Sequence, residues 1–92
     1  MSDLTVAFGE RLIVARFNCG RIGQEAVAER AEICRTQMTA LENGRQMPRL
    51  ETAVKLAGAV GLSAAELLGP IRWVPAARGK PGRFILTEEE SP

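Results

Sequence analysis

The stretch from Gln24 to Asn43, QEAVAERAEICRTQMTALEN, constrains the fold most, because its apolar residues keep helical spacing on both sides of a short break. Val27, Ala28 and Ala31 share one helical stripe, and Met38 and Leu41 share another. Ile33 stands between them, placed to plug the angle where the stripes meet. Two short helices joined at a tight corner satisfy this spacing.

The flanks extend the helical pattern. From Leu4 to about Asn18, Phe8, Leu12 and Ala15 recur on one side while Glu10 and Arg11 face out, which predicts a first helix. Cys19 to Gly23 breaks the pattern, with Gly20 suited to a helix C-cap. Gly44 ends the second motif helix, and a short loop, Arg45 to Arg49, carries a basic residue at each end. A fourth helix is predicted over Leu50 to Val60, with Ala53, Leu56, Ala57 and Val60 inward and Gly61 as its stop. Ser63 and Glu66 form a capping box that opens a short fifth helix ending in Leu67-Leu68-Gly69. Beyond Pro70 the chain turns β-branched and aromatic. Ile71 to Val74 and Arg83 to Thr87 flank a segment holding Gly79, Pro81 and Gly82, which predicts a hairpin or two extended arms.

Several pieces match a known pattern: Gln24-Glu25 opening the first motif helix, Ala28 at the crossing, Ile33 in the turn, Leu41-Glu42-Asn43-Gly44-Arg45 closing the second helix, and Leu50-Glu51-Thr52 opening the next. With them the chain, from about Phe8 to Leu68, resembles the Cro and lambda-repressor type of helix-turn-helix protein, the XRE family. In such a unit the first helix crosses the DNA backbone and the second enters the major groove. Two positions depart from the family: Glu32 stands where Gly is usual, and Cys34 where Ser or Thr is usual. Without glycine, the turn must hold Glu32 in a strained left-handed conformation or change shape. Cys34 is a weaker N-cap than either hydroxyl residue. The expected fold class is all-α. A five-helix lambda-repressor-like DNA-binding domain occupies residues 1–69, a short C-terminal β-hairpin or extended arm 70–87, and an acidic flexible tail 88–92.

Composition narrows the function classes. The 92 residues suit one small domain, and 46% hydrophobic with 25% charged is ordinary globular usage. No apolar run approaches the ~18 residues a membrane span needs, and no charged-then-apolar leader is present, so a cytoplasmic protein is expected. Cys19 and Cys34 make no disulfide framework, and without histidine no zinc set is expected. Inert thiols are the plain reading, a redox-sensing Cys34 the sharper one. With no His, no Tyr, no Gly-rich phosphate loop on a strand and no paired acids in a cleft, neither enzymatic activity nor a cofactor is expected. Net charge is +1, but Glu88, Glu89 and Glu90 account for three of the acids. Residues 1–87 carry twelve basic against eight acidic side chains, a balance that permits DNA binding without arguing for it.

The resemblance implies an interface. Gln24 stands at a helix N-terminus, where its amide and the helix dipole can hold a phosphate oxygen; otherwise it is a surface glutamine at a good helix position. In the family the positions of Arg35, Thr36, Thr39 and Ala40 face base edges. Arg35 is the strongest candidate, since its fork matches guanine O6 and N7, whereas Ala40 offers a methyl to thymine. The alternative for Arg35 is a phosphate clamp. Gln37 lies at the edge of that face. Asn43 and Arg45 are expected to position the domain, and in the family the loop of Arg45 and Arg49 meets phosphate. The family commonly joins an arginine of the first helix to the glutamate closing the recognition helix, here Arg16 and Glu42; otherwise these are two unrelated surface charges.

Ile71, Trp73, Phe84 and Leu86 give the hairpin one apolar face, and an isolated two-stranded hairpin is marginal in water. The same segment of a second subunit would cover it, making these the dimerisation residues. Alternatively it lies on its own helices, and dimerisation falls to the fourth and fifth. The expected function is a sequence-specific DNA-binding transcriptional repressor, binding a two-half-site operator as a homodimer with the helix of about 35–42 in the major groove. The competing class is a protein-interaction or antitoxin module whose C-terminal strands dock a partner protein.

Overall fold

The computed structural model describes residues 3–87; the acidic tail expected over 88–92 lies outside the described residues. Five helices and a two-stranded antiparallel sheet follow in order: α1 (Asp3–Asn18), α2 (Gln24–Ala31), α3 (Arg35–Glu42), α4 (Leu50–Ala59), α5 (Ala64–Leu68), β1 (Ile71–Val74) and β2 (Arg83–Leu86). The stripes predicted to be apolar meet in one core. Phe8 and Leu12 of α1, Val27 of α2, Met38 and Leu41 of α3, Leu56 of α4 and Leu67 of α5 are all but sealed from solvent. Each such large side chain contributes about 1.5–3 kcal/mol by burial. Ile33 packs half-buried against this cluster, as expected of a plug at the corner. α4 stops at Ala59, one residue early; Val60 keeps its inward place but leaves helical torsions as the C-cap.

Glu32 takes the strained option. It sits at φ 60°, ψ 43°, in the left-handed region, where a residue with a Cβ costs roughly 1–2 kcal/mol. The turn keeps its shape around it: the Ile33 amide donates back to the Ala28 carbonyl at 2.9 Å, closing α2. At the end of α3 the same closure is unstrained, because Gly44 supplies the left-handed residue (φ 71°) while the Arg45 amide donates to the Ala40 carbonyl at 2.9 Å. Cys34 caps α3 in extended conformation without a side-chain hydrogen bond. The predicted capping box of α5 is present: Ser63 Oγ accepts from the Glu66 amide at 3.1 Å, and Glu66 Oε1 from the Ser63 amide at 2.8 Å.

Two arginines tie helix ends to the body of the domain. Arg11, expected to face out, is half-buried and donates to the carbonyls of Leu67 (2.9 Å) and Glu66 (3.1 Å), satisfying orphan acceptors at the end of α5. Arg30 donates to the Ala59 carbonyl at the end of α4, 3.1 Å away.

Helices α1 and α3 approach so closely that a side chain at Gly9 has no room. A Cβ there would stand 2.6 Å from the Leu41 carbonyl oxygen and 2.7 Å from that of Glu42. Gly58, on the exposed side of α4, meets nothing within 4 Å. Alanine is the better helix former by about 1 kcal/mol, so Gly58→Ala should stabilise the domain by that amount. Gly9→Ala should instead destabilise it by about 1–3 kcal/mol through forced separation of the two helices. Urea denaturation of the two variants checks the opposite signs; a gain at both positions would contradict the close contact.

The C-terminal segment is a hairpin and not a pair of separate arms. Its register pairs Ile71 with Leu86 and Trp73 with Phe84. At the tip Ala77 and Lys80 exchange backbone hydrogen bonds, and at the open end the Thr87 amide and hydroxyl both donate to the Pro70 carbonyl, at 2.8 and 2.9 Å. The Trp73 ring lies across Gly82, where a Cβ would be 2.3 Å from it, and meets Phe84 edge-on at a centroid distance of 4.9 Å. The hairpin lies on its own chain: both strands contact α1, and Ile71 packs against the helical core. Phe84 and Leu86 are half-buried, whereas Trp73 is 55% exposed. No helix among the described residues is long and apolar enough to cross a membrane.

Candidate nucleic-acid interface

Because Met38 and Leu41 are drawn into the core, the opposite side of α3 is turned out. Arg35, Thr36, Thr39, Ala40, Asn43 and Arg45 together line one open groove. This face joins all four residues expected to meet base edges with two of those expected to position the domain. Its lining carries two guanidinium groups and no carboxylate. Among the described residues the ion pairs are Arg16–Glu42 and Glu51–Lys55, so Arg35 and Arg45 keep their charge available for an anion. Gln37 and Arg49 are not part of this groove. They border a neighbouring hollow with Gln46, Lys55 and the acidic Glu32 and Glu51, which places Gln37 at the edge of the face.

Beneath the groove lies a polar network that locks α1, α2 and α3 together. Arg16 Nε donates to Glu42 Oε2 at 2.7 Å and Arg16 Nη2 to Oε1 at 3.0 Å, a two-pronged pair. Its Nη1 also donates to the Ile22 carbonyl at 3.1 Å, fastening the loop between α1 and α2. The Glu42 side chain is 3% exposed and that of Arg16 14%. Hydrogen bonding to Glu42 raises the Arg16 pKa above its ordinary value, outweighing the opposing effect of burial, so the guanidinium stays charged.

Gln24 joins this network in a way its sequence position did not announce. Gln24 Nε2 donates to Glu42 Oε1 at 2.8 Å, and Gln24 Oε1 accepts from the Thr39 hydroxyl at 3.0 Å. Only one of the two amide protons is used. The N-cap of α2, Gly23, has no side-chain bond, so the first backbone amides of the helix can still meet a phosphate. α3 begins in the same state behind Cys34, which is exposed, while Cys19 is half-buried.

A family model described as a helix-turn-helix domain matches residues 7–68, which spans the whole of this network and both helices of the corner. The chain belongs to the helix-turn-helix family of XRE type. It is 28% identical over 71 residues to the control protein C.MunI from Mycoplasma sp., covering 77% of this chain and 96% of that protein. Among solved structures it is similar to the clp gene regulator ClgR from Corynebacterium glutamicum, with a TM-score of 0.67 and 28% identity over 71% of this chain and 68% of that one. The competence regulator ComR from Streptococcus vestibularis superposes with a TM-score of 0.65 at 26% identity, covering 73% of this chain but 22% of ComR. The helix-turn-helix domain is thus a DNA-binding regulator domain.

Proposed function

We propose that this protein is a cytoplasmic, sequence-specific transcriptional repressor that binds a two-half-site operator as a homodimer, with α3 in the major groove. The observation that carries the reading is the groove of Arg35, Thr36, Thr39, Ala40, Asn43 and Arg45, which is cationic, open and backed by a rigid network. Residues 1–69 act as the DNA-binding domain and 70–87 as an arm. Arg35 reads a guanine, Thr36, Thr39 and Ala40 face neighbouring bases, and the amides opening α2 with Gln24 hold a phosphate. Asn43, Arg45 and Arg49 fix the domain on the backbone, with Gln37 at the rim. A shift assay with DNA from around its own gene tests binding. Arg35→Ala should weaken the preferred site by roughly 1–3 kcal/mol and random DNA far less; equal losses on both would make Arg35 a backbone clamp.

Paired half-sites about one DNA turn apart, ~34 Å, call for two copies of the domain. Of the four hairpin residues expected at the dimer contact, Ile71 is already engaged with its own core, and Trp73 is the one left largely uncovered. The proposed contact therefore centres on Trp73. The competing surface is α4, where Leu50 (76% exposed) and Val54 (50%) share an outward stripe. Trp73→Glu should sediment as a monomer while Leu50→Glu stays dimeric; the reverse pattern would move the contact to α4. An interaction-module function keeps one supporting observation, the same exposed Trp73, and would be favoured by a protein that binds no DNA in the shift assay.

A further inference from the structure

The network under the groove decides more than rigidity, because each of its members constrains where the next one can place its protons. Glu42, nearly sealed from solvent and held by both prongs of Arg16, is an acceptor only. The end of the Gln24 amide that reaches Glu42 Oε1 at 2.8 Å is therefore its NH2 group. That choice turns the amide oxygen toward Thr39, 3.0 Å from its Oγ1. An amide oxygen accepts and cannot donate, so the single proton of the Thr39 hydroxyl is committed to Gln24. Thr39 is also half-exposed and lines the groove. Toward the groove its oxygen has only lone pairs to offer.

We infer that Thr39 acts on DNA as a hydrogen-bond acceptor and selects an amino base, adenine or cytosine, over a keto base, guanine or thymine, on the strand it faces. In the major groove adenine N6 and cytosine N4 donate, whereas guanine O6 and N7 and thymine O4 accept. A freely rotating hydroxyl satisfies either kind of edge. One whose proton is taken meets a keto edge lone pair to lone pair, leaving both sides unsatisfied. Gln24 and Glu42 are positioning residues in this scheme: they set the polarity of Thr39 from behind. The inference rests on the DNA-binding function proposed above and adds the chemistry of one base position to it.

Selection of bound sequences from a random duplex pool tests it, using the full chain and its variants Thr39→Ala, Thr39→Ser, Gln24→Ala and Gln24→Met. The expected wild-type site contains a position enriched in A or C that Thr39→Ala levels and Thr39→Ser retains. Gln24→Ala frees the hydroxyl to rotate and should admit G or T at that position; total affinity falls with the lost phosphate contact, so the readout is the base preference at that one position. Gln24→Met does the same while filling the space, should the alanine variant fold poorly. The change in relative enrichment should be roughly two- to tenfold, the worth of one hydrogen bond. A Thr39-dependent position that prefers G or T, no position that responds to Thr39→Ala, or an amino preference that persists in both Gln24 variants would overturn the inference. Failure of the wild-type chain to enrich any sequence would overturn the DNA-binding reading itself, and the polarity of Thr39 with it.

Discussion

Arg16→Ala should cost the domain about 3–5 kcal/mol, because it strands the Glu42 carboxylate in a site that is 3% exposed. The loss includes the Nη1 bond to the Ile22 carbonyl, so the loop into α2 loosens as well. Glu42→Ala should cost less, since the released guanidinium is closer to solvent and can be hydrated. It would still take the acceptor away from Gln24. Two groups in one network do not act independently, and the double variant should lose less than the sum by about 0.5–3 kcal/mol. Thermal melts resolve this readily, at roughly 4–8 °C per kcal/mol for a domain of this size. Strict additivity would show that the pair does not interact. The effect should be flat with pH around neutrality as far as Arg16 is concerned. Its folded pKa is raised from a value already far above that range, so the stability it contributes is fully present at neutral pH and is lost only as pH rises through the folded pKa.

Operator affinity should fall about 10²-fold between 50 and 200 mM salt if Arg45 and Arg49 of both protomers neutralise phosphates, corresponding to a log–log slope of about −3.6. The two side chains are exposed and outside the ion pairs of the described residues, so each can displace counterions condensed on the DNA phosphates. A single domain engaging one half-site would lose only about tenfold over the same range, so the slope also counts protomers. Arg45→Ala should reduce the slope by about one unit per half-site without changing which sequence is preferred. Fluorescence anisotropy against salt measures both. Affinity that stayed level would rule out phosphate neutralisation as the basis of binding.

Much of this could be read from residue order alone, because the information is local. Helical spacing of Phe8, Leu12, Val27, Met38, Leu41 and Leu56 needs only i, i+3 and i+4 relations, and the core contains all of them. The capping box at Ser63 and the stop at Gly44 are equally local. The partners of the helix-end arginines were not legible: Arg11 meets carbonyls 55 and 56 residues away, and nothing in its neighbourhood distinguishes it from a solvated charge. The Glu32 strain could be suspected from a missing glycine, but which way the turn would yield depended on packing around Ala28 and Ile33.

The candidate site divides along the same line. Sequence determined which residues lie on the outer side of α3, since burial of Met38 and Leu41 leaves the others no choice. Pairing Arg16 with Glu42 required the family pattern, and its geometry required the fold, because 26 residues separate the two side chains. Only the tertiary structure joined Gln24 to Thr39 and so settled which way the amide and hydroxyl face. The hairpin was predicted from β-branched and aromatic composition, yet its seat against α1 was decided by which apolar surface the helices left open. Periodicity along a chain dictates the faces of helices. Hydrogen-bond direction and the docking of one face on another depend on atoms brought together from distant positions, which residue order does not express until the chain has folded.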